Sequence, residues 1–342
     1  MAEKLAYARM PGFRPEAEEE EIMRRPSCWL SLALAVALAP AAHAQTEKPV
    51  RIIVGFPAGA TLDSLSRMVA DKLRSSLNQP VIVENRTGAA GRLAAEYVKA
   101  QPGDGLTLLM TPVANMAINP HSHKGLRYDP FRDFAPVSHV ANFQIAFAVG
   151  PAVQATSLRD YVALAKKDAK AGDYASAAAG SIPHFLGVMF ARTAGIELTH
   201  VPYKGTAPAL TDLMGGQIAA AVMTVPDIAP LHKSGKLRAL AVAGTKRSDA
   251  LPDVPTFKEQ GYDLEGSGWY AMFAPAATPK ETLDRLSRLV AQATQTPDVR
   301  AWIQKGGMEP TGTSPAELAA ILTADYAKWG PVIKASGFTS ED

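Results

Sequence analysis

The turn Pro57-Ala58-Gly59-Ala60 carries almost no side chain, so a ligand can approach its backbone closely. It stands between an apolar run (Val50, Ile52, Ile53, Val54, Phe56) and a segment where Leu62, Leu65, Val69, Leu73 and Leu77 recur at spacings of three and four. The first pattern suits a parallel strand covered on both faces, and the second suits one face of an amphipathic helix. The first N–H groups of such a helix have no intrahelical partner, and the positive end of its dipole lies at the same place. That arrangement offers a site for a small anion. It is equally the description of an ordinary turn whose amides are capped by Thr61 or Asp63 and by water. A second turn of the same character comes about 120 residues later, where the small residues from Ala177 end in Gly180-Ser181-Ile182-Pro183. Ser181 fits the N-cap of the helix that follows and Pro183 its first turn.

The elements that must position these turns alternate from Lys48 onward. Strands are expected at 81–85, 106–110, 174–176, 198–203, 219–225, 237–243 and 269–273, and helices at 93–100, 158–171, 184–194, 207–214, 228–234, 280–294, 299–305 and 315–333. Residues 86–91 read as a Gly/Ala turn, and 111–119, with Thr111 and Asn115, as a polar turn. Alternation of this kind gives an α/β fold with a parallel sheet covered by helices on both faces. Residues 135–149 are long for one strand, as a strand passing between two domains would be. The layout is a discontinuous first domain, 45–144 plus 250–342, with a second domain, 145–249, inserted in it. Opposed helix N-termini then line a cleft with backbone donors on both walls, which suits a small anion.

At 342 residues, 47% hydrophobic and 20% charged, the chain has ample core for two domains. A net charge of +2, with scattered basic residues, excludes nucleic acid as a partner. The one cysteine, Cys28, precedes the expected mature chain, which leaves no disulfide, thiol catalysis or cysteine metal site there. His121-Ser122-His123 has no nearby third ligand and reads as a solvated loop; no metal and no cofactor are expected. Gly266-Ser267-Gly268-Trp269-Tyr270-Ala271 has the letters of a dinucleotide fingerprint, but a strand follows it where a helix is required.

The stretches KPVRIIVGFPAGATLD, QPVIVENRTGAAG, DPFRDFAPVSHVA, HVPYKGTAPALTDLMGGQ, GKLRALAVAGTKRSDALPDVPTFKE and WYAMFAPAATP come in the order and at the spacing of one family. From about Lys48 to the last helix the chain resembles the Bug (Bordetella uptake gene) family, the periplasmic solute-binding receptors of tripartite tricarboxylate transporters. The resemblance implies a type II periplasmic-binding-protein fold, with two α/β domains that close over one small carboxylate held chiefly by backbone N–H groups and waters. The two loops that do this match Phe56, Ala58, Gly59, Ala60 and Thr61 with Asp63, and Ala178, Ala179, Gly180 and Ser181 with nearby His184. Thr111, Thr224 and Arg92 border the same cleft. The implied partners are the carboxylate and the membrane subunits of the transporter, with the receptor acting as a monomer. The chain departs from the family pattern at Gly59-Ala60 (commonly a double glycine), Thr61-Leu62 (Ala-Thr), Arg92 (asparagine) and Met223-Thr224 (Asp-Asn). Arg92 either points to solvent or pairs with Glu96, or it reaches the distal carboxylate of a diacid in the cleft.

Two readings from other classes stand beside this one. An exported enzyme acting on a carboxylate would use His184 or Asp63 as acid–base groups, but the serine-hydrolase elbow, the P-loop and the zinc-protease helix are absent from the sequence. A ligand-sensing receptor for a membrane kinase would need no different motif. The N-terminal region speaks for export. Residues 1–22 are polar and acidic; Met23-Arg24-Arg25 then opens a basic region, ten largely apolar residues run from Trp29 to Leu38, and Ala42-His43-Ala44 is a small-x-small cleavage site. Ten such residues fall short of the roughly 20 needed to span a bilayer. The mature periplasmic protein is therefore expected to begin at Gln45, as N-terminal sequencing of the periplasmic fraction would show; a mature protein that retained residues 1–22 would contradict the signal assignment.

Overall fold

The computed structural model describes residues 48–339, and the expected leader and signal, 1–44, lie outside them. The elements in order are β1 (Val50–Val54), α1 (Thr61–Leu77), β2 (Val81–Asn85), α2 (Arg92–Lys99), β3 (Thr107–Pro112), a π-helical turn (Ala114–Ile118), α3 (Asn119–Ser122), β4 (Phe134–Val149), α4 (Leu158–Ala165), β5 (Asp173–Ser176), α5 (Ile182–Ala194), β6 (Thr199–Pro202), α6 (Thr206–Met214), β7 (Ala220–Thr224), α7 (Val225–Lys233), β8 (Arg238–Val242), β9 (Ser267–Pro275), α8 (Lys280–Gln295), α9 (Pro297–Lys305), β10 (Met308–Pro310) and α10 (Pro315–Ser336). No helix among the described residues is long and apolar enough to cross a membrane.

Strand β1 pairs in parallel with β2 on one side and β3 on the other. Its Ile52, Ile53 and Val54 are fully buried, as a strand covered on both faces requires. Leu62, Leu65, Val69 and Leu73 bury the inner face of α1. The sheet continues through antiparallel β9 to β4, then to β7, β5 and β6, with β8 and β10 also on β4. The sixteen residues of β4 serve two neighbourhoods: Phe134 to Gln144 run beside β9, and Ile145 to Val149 lie between β7 and β8. One α/β lobe is thus built on β1, β2, β3 and β9 and the other on β5 to β8, with β4 common to both.

Three expectations are corrected. Residues 111–119 are not a polar turn: β3 runs to Pro112, and the chain then winds into the π-helical turn and α3. Val113, Met116, Ala117 and Ile118 are buried there, and the polar Asn115 also turns inward, its side-chain amide donating to the Ala90 carbonyl at 3.1 Å. The helix expected at 158–171 ends at Ala165, because the Asp168 side chain accepts from the Lys170 N–H and starts a short 3₁₀ turn instead. His121-Ser122-His123 is not a solvated loop: a His121 ring nitrogen lies 2.9 Å from the Tyr326 carbonyl and the His123 ring meets the Ser122 hydroxyl at 2.8 Å.

The second lobe holds α5 against β5 through one close approach. A Cβ on Gly187 would lie 2.2 Å from the ring of Tyr174, which is fully buried and whose hydroxyl donates to the His184 carbonyl at 2.8 Å. Gly187→Ala must therefore push either the ring or the helix. Overpacking of this kind costs about 1–3 kcal/mol, and urea unfolding is expected to report that loss; a variant as stable as the parent would mean that α5 is free to shift on β5.

Candidate functional site

Four strand-to-helix turns converge on one cavity of about 440 Å³. The β1–α1 turn contributes Phe56 to Leu62, the β5–α5 turn Ala177 to Pro183, the β6–α6 turn Lys204 to Pro208, and the β7–α7 turn Thr224 and Asp227. Ala90, the Pro112-Val113-Ala114 stretch, Asn119, Phe143, Leu210 and Tyr270 complete the wall. Most of the lining is small or apolar, so the polar groups it offers are mainly backbone amides at helix starts.

The β1–α1 turn is held from behind. Gly59 has φ 84°, in the left-handed region, and its N–H donates to Asp63 Oδ2 at 2.9 Å. Asp63 is 2% exposed and also accepts from Arg67, Nε to Oδ2 at 3.0 Å and Nη2 to Oδ1 at 2.9 Å, and from Asn85 Nδ2 at 2.8 Å. Burial alone would raise its pKa, but the hydrogen bonds from Arg67, Gly59 and Asn85 prevail and hold the carboxyl below its ordinary value. The same Asn85 amide donates to the Phe56 carbonyl at 3.0 Å. Ala60 is the N-cap, with no side-chain cap, and the N–H groups of Ala60, Thr61 and Leu62 have no acceptor among the described residues. Gly55 lets the turn sit against the start of α2, since a Cβ there would lie 2.6 Å from Gly91 Cα.

The β5–α5 turn is held by neutral groups. Ser181 caps α5, accepting from the His184 N–H at 3.4 Å and donating to the Ala178 carbonyl at 2.7 Å. Gly180, at φ 71°, donates its N–H to His184 Nδ1 at 3.2 Å, so the proton of the neutral imidazole sits on Nε2. The His184 ring stacks on His200 with centroids 4.0 Å apart. Burial holds His184 down to about 4, and burial together with its neighbour holds His200 down to about 3. Both rings are uncharged at neutral pH.

Of the residues expected at the site, Phe56, Ala58, Gly59, Ala60, Thr61, Ala178, Ala179, Gly180, Ser181 and Thr224 line the cavity; Asp63, Arg92, Thr111 and His184 do not. Asp63 and His184 lie behind their turns and shape them, and neither reaches the cavity to act as an acid or base. Thr111 is 3% exposed within β3. Arg92 is 8% exposed at the start of α2, where its Nε donates to the Ala89 carbonyl at 3.1 Å, so it neither points to solvent nor joins the cavity wall. The Ala89 carbonyl gives the guanidinium an acceptor and so offsets part of the cost of a cation at a helix N-terminus. Among the described residues no group of three or more His, Cys, Asp or Glu could hold a metal.

The β6–α6 turn and Asp227 were not singled out in the sequence. The turn repeats the same punctuation, with Gly205 (φ 110°) opening α6. Asp227 follows Thr224 by three residues, the spacing of a capping box, and that signal would have found it. Its Oδ2 accepts from Thr224 Oγ1 at 2.6 Å and from Thr206 Oγ1 at 3.5 Å, and its Oδ1 accepts from Thr61 Oγ1, across the cleft, at 3.0 Å. Burial pushes its carboxyl up from the ordinary value, against the three hydroxyls of Thr224, Thr61 and Thr206.

Comparison with known proteins places this architecture. Residues 65–338 match the family described as the tripartite tricarboxylate transporter family receptor. Protein BugT of Bordetella pertussis is 33% identical over 294 residues, 85% of this chain and 90% of BugT. Among solved structures, Rpa4515 of R. palustris, determined with adipate, superposes with a TM-score of 0.82 at 32% identity, covering 86% of this chain and 99% of that one. MatC from Rhodopseudomonas palustris, with bound malate, does so with a TM-score of 0.79 at 27% identity, covering 83% and 98%. The chain belongs to the receptor family of tripartite tricarboxylate transporters, the Bug family.

Proposed function

We propose that this chain is a periplasmic receptor, not an enzyme, that closes on a small carboxylate and passes it to the membrane subunits of a tripartite transporter. The observation that carries this reading is the convergence on one cavity, with few charged side chains, of helix-start amides that have no acceptor among the described residues, those of Ala60, Thr61 and Leu62 on one lobe and of Ser181 and Ile182 on the other. A carboxylate leaving water loses strong hydration and needs several hydrogen bonds to its charged form in return. Helix N-termini supply such donors, and each favours a nearby negative charge by about 0.3–1 kcal/mol. The cavity volume, about 440 Å³, lies within the range of small-molecule sites. The adipate and malate held by the two R. palustris relatives are carboxylates of this class. The expected signal supports a periplasmic location, the change of partners along β4 supports a domain division near residue 145, and a return to the first domain near residue 250 is consistent with β8 (to Val242) lying in the second neighbourhood of β4 and β9 (from Ser267) in the first.

A thermal-shift screen of mono-, di- and tricarboxylates is expected to find a ligand, since saturation at 100 times the dissociation constant stabilises by about 2.7 kcal/mol. Turnover of a carboxylate without any shift would favour an enzyme instead. The anchoring turns can be tested separately. Ala60 has φ −75° and ψ 164°, a conformation that valine adopts easily, so Ala60→Val should keep its stability while its side chain fills the place of the ligand, a loss of about tenfold or more in affinity. Ser181→Ala should cost about 1 kcal/mol of stability as a lost cap, with a smaller loss of affinity. Calorimetry that found both variants binding like the parent would move the carboxylate to another site.

A further inference from the structure

The site holds one group that a receptor for simple anions does not need. Asp227 lies in the first turn of α7 and lines the cavity, facing the space where the helix-start amides favour negative charge. Threonine hydroxyls from three elements surround it: Thr224 at the N-cap of its own helix, Thr206 at the start of α6 and Thr61 at the start of α1. A carboxylate offers about four acceptor positions, and three hydroxyl donors fill three of them; burial pushes the carboxyl up, the hydroxyls oppose that, and a cation at the open position would complete the ionised form. Among the described residues no basic side chain pairs with it, and Lys204 on the rim is exposed. A plain carboxylate bound at the β1–α1 turn would be repelled by the ionised form of Asp227 across a low-dielectric cavity and would offer it no donor. A ligand hydroxyl would fill the remaining acceptor position but leave the repulsion in place. A protonated amine would fill it and neutralise the charge together.

We propose that Asp227 selects the ligand by accepting a hydrogen bond from a protonated amine, so that this receptor prefers an amino carboxylate over the same acid without the amine. The inference rests on the receptor reading above and names the ligand class of that same cavity. Position supports it as well as charge. Asp227 Oδ1 is 3.0 Å from the hydroxyl of Thr61, whose own N–H is among the unpartnered donors of the β1–α1 turn. A carboxylate on those amides and an amine on Asp227 are then only a few bonds apart, as in an amino acid. The rest of the molecule meets Phe143, Ile182, Leu210 and Tyr270, an apolar wall that accepts an uncharged side chain.

Matched pairs test this: L-phenylalanine against 3-phenylpropanoate, L-glutamate against glutarate and L-aspartate against succinate, each titrated by calorimetry into the wild-type protein and into Asp227→Asn. In at least one pair the amine is expected to bind the wild type about tenfold tighter or more, and Asp227→Asn is expected to abolish or reverse that preference. Asp227→Ser repeats the comparison should the asparagine variant fail to fold. Acids without the amine that bind the wild type as well as or better than their partners, or a preference that survives both substitutions, would overturn the role of Asp227 while leaving carboxylate capture intact. Failure of all six compounds and of the wider carboxylate screen would overturn the receptor reading itself, and this inference with it.

Discussion

A carboxylate leaves water only where something replaces its hydration shell, and that replacement must be fixed in place beforehand. Here the candidate replacement is a set of backbone amides at helix starts, and their positions depend on groups that never line the cavity. Asp63 is the chief of these. With one buried carboxylate it ties Gly59 of the turn, Arg67 of α1 and Asn85 of β2 together, and Asn85 then holds the Phe56 carbonyl. Removing that charge would leave the Gly59 amide and the Asn85 side chain without their shared acceptor, and the turn without its shape.

The second turn solves the same problem without charge. His184 accepts the Gly180 amide on a neutral ring buried against His200, Phe185 and Phe338, and Ser181 closes the loop onto Ala178. Both turns thus keep their supporting side chains behind the backbone and leave only small residues in front. Of the cavity's lining residues only Lys204 and Asp227 carry ionisable side chains of the Lys/Arg/Asp/Glu type, so an anion between the turns meets mainly amide hydrogens. The two lobes carrying the turns share β4, so the chain connects them through a continuous strand.

Much of this was legible in the sequence, because it is local. An apolar run, four residues with almost no side chain and a period of three to four announce β1, the turn and α1, and Ser181 with Pro183 announces the start of α5. The direction in which a side chain points is another matter. Asp63 turns back to Gly59 because Arg67 and Asn85 are there to meet it, and Asn85 is 22 residues away. Arg92 folds onto Ala89 instead of reaching the cleft, and 111–119 coil inward because the surrounding core accepts them. The hydrogen bond from Thr61 to Asp227 spans 166 residues and joins two lobes, so no local pattern announces it, although the Thr-x-x-Asp spacing beside it was there to be read.

The central claim is that the carboxylate is held by main-chain amides of both lobes. Amide-proton NMR measures this directly, by titrating in whichever carboxylate raises the melting temperature most. The account predicts that the amides of Ala60, Thr61, Leu62, Ser181 and Ile182 shift together and saturate at the same ligand concentration. Shifts confined to one of the two turns, or lying away from both, would contradict it.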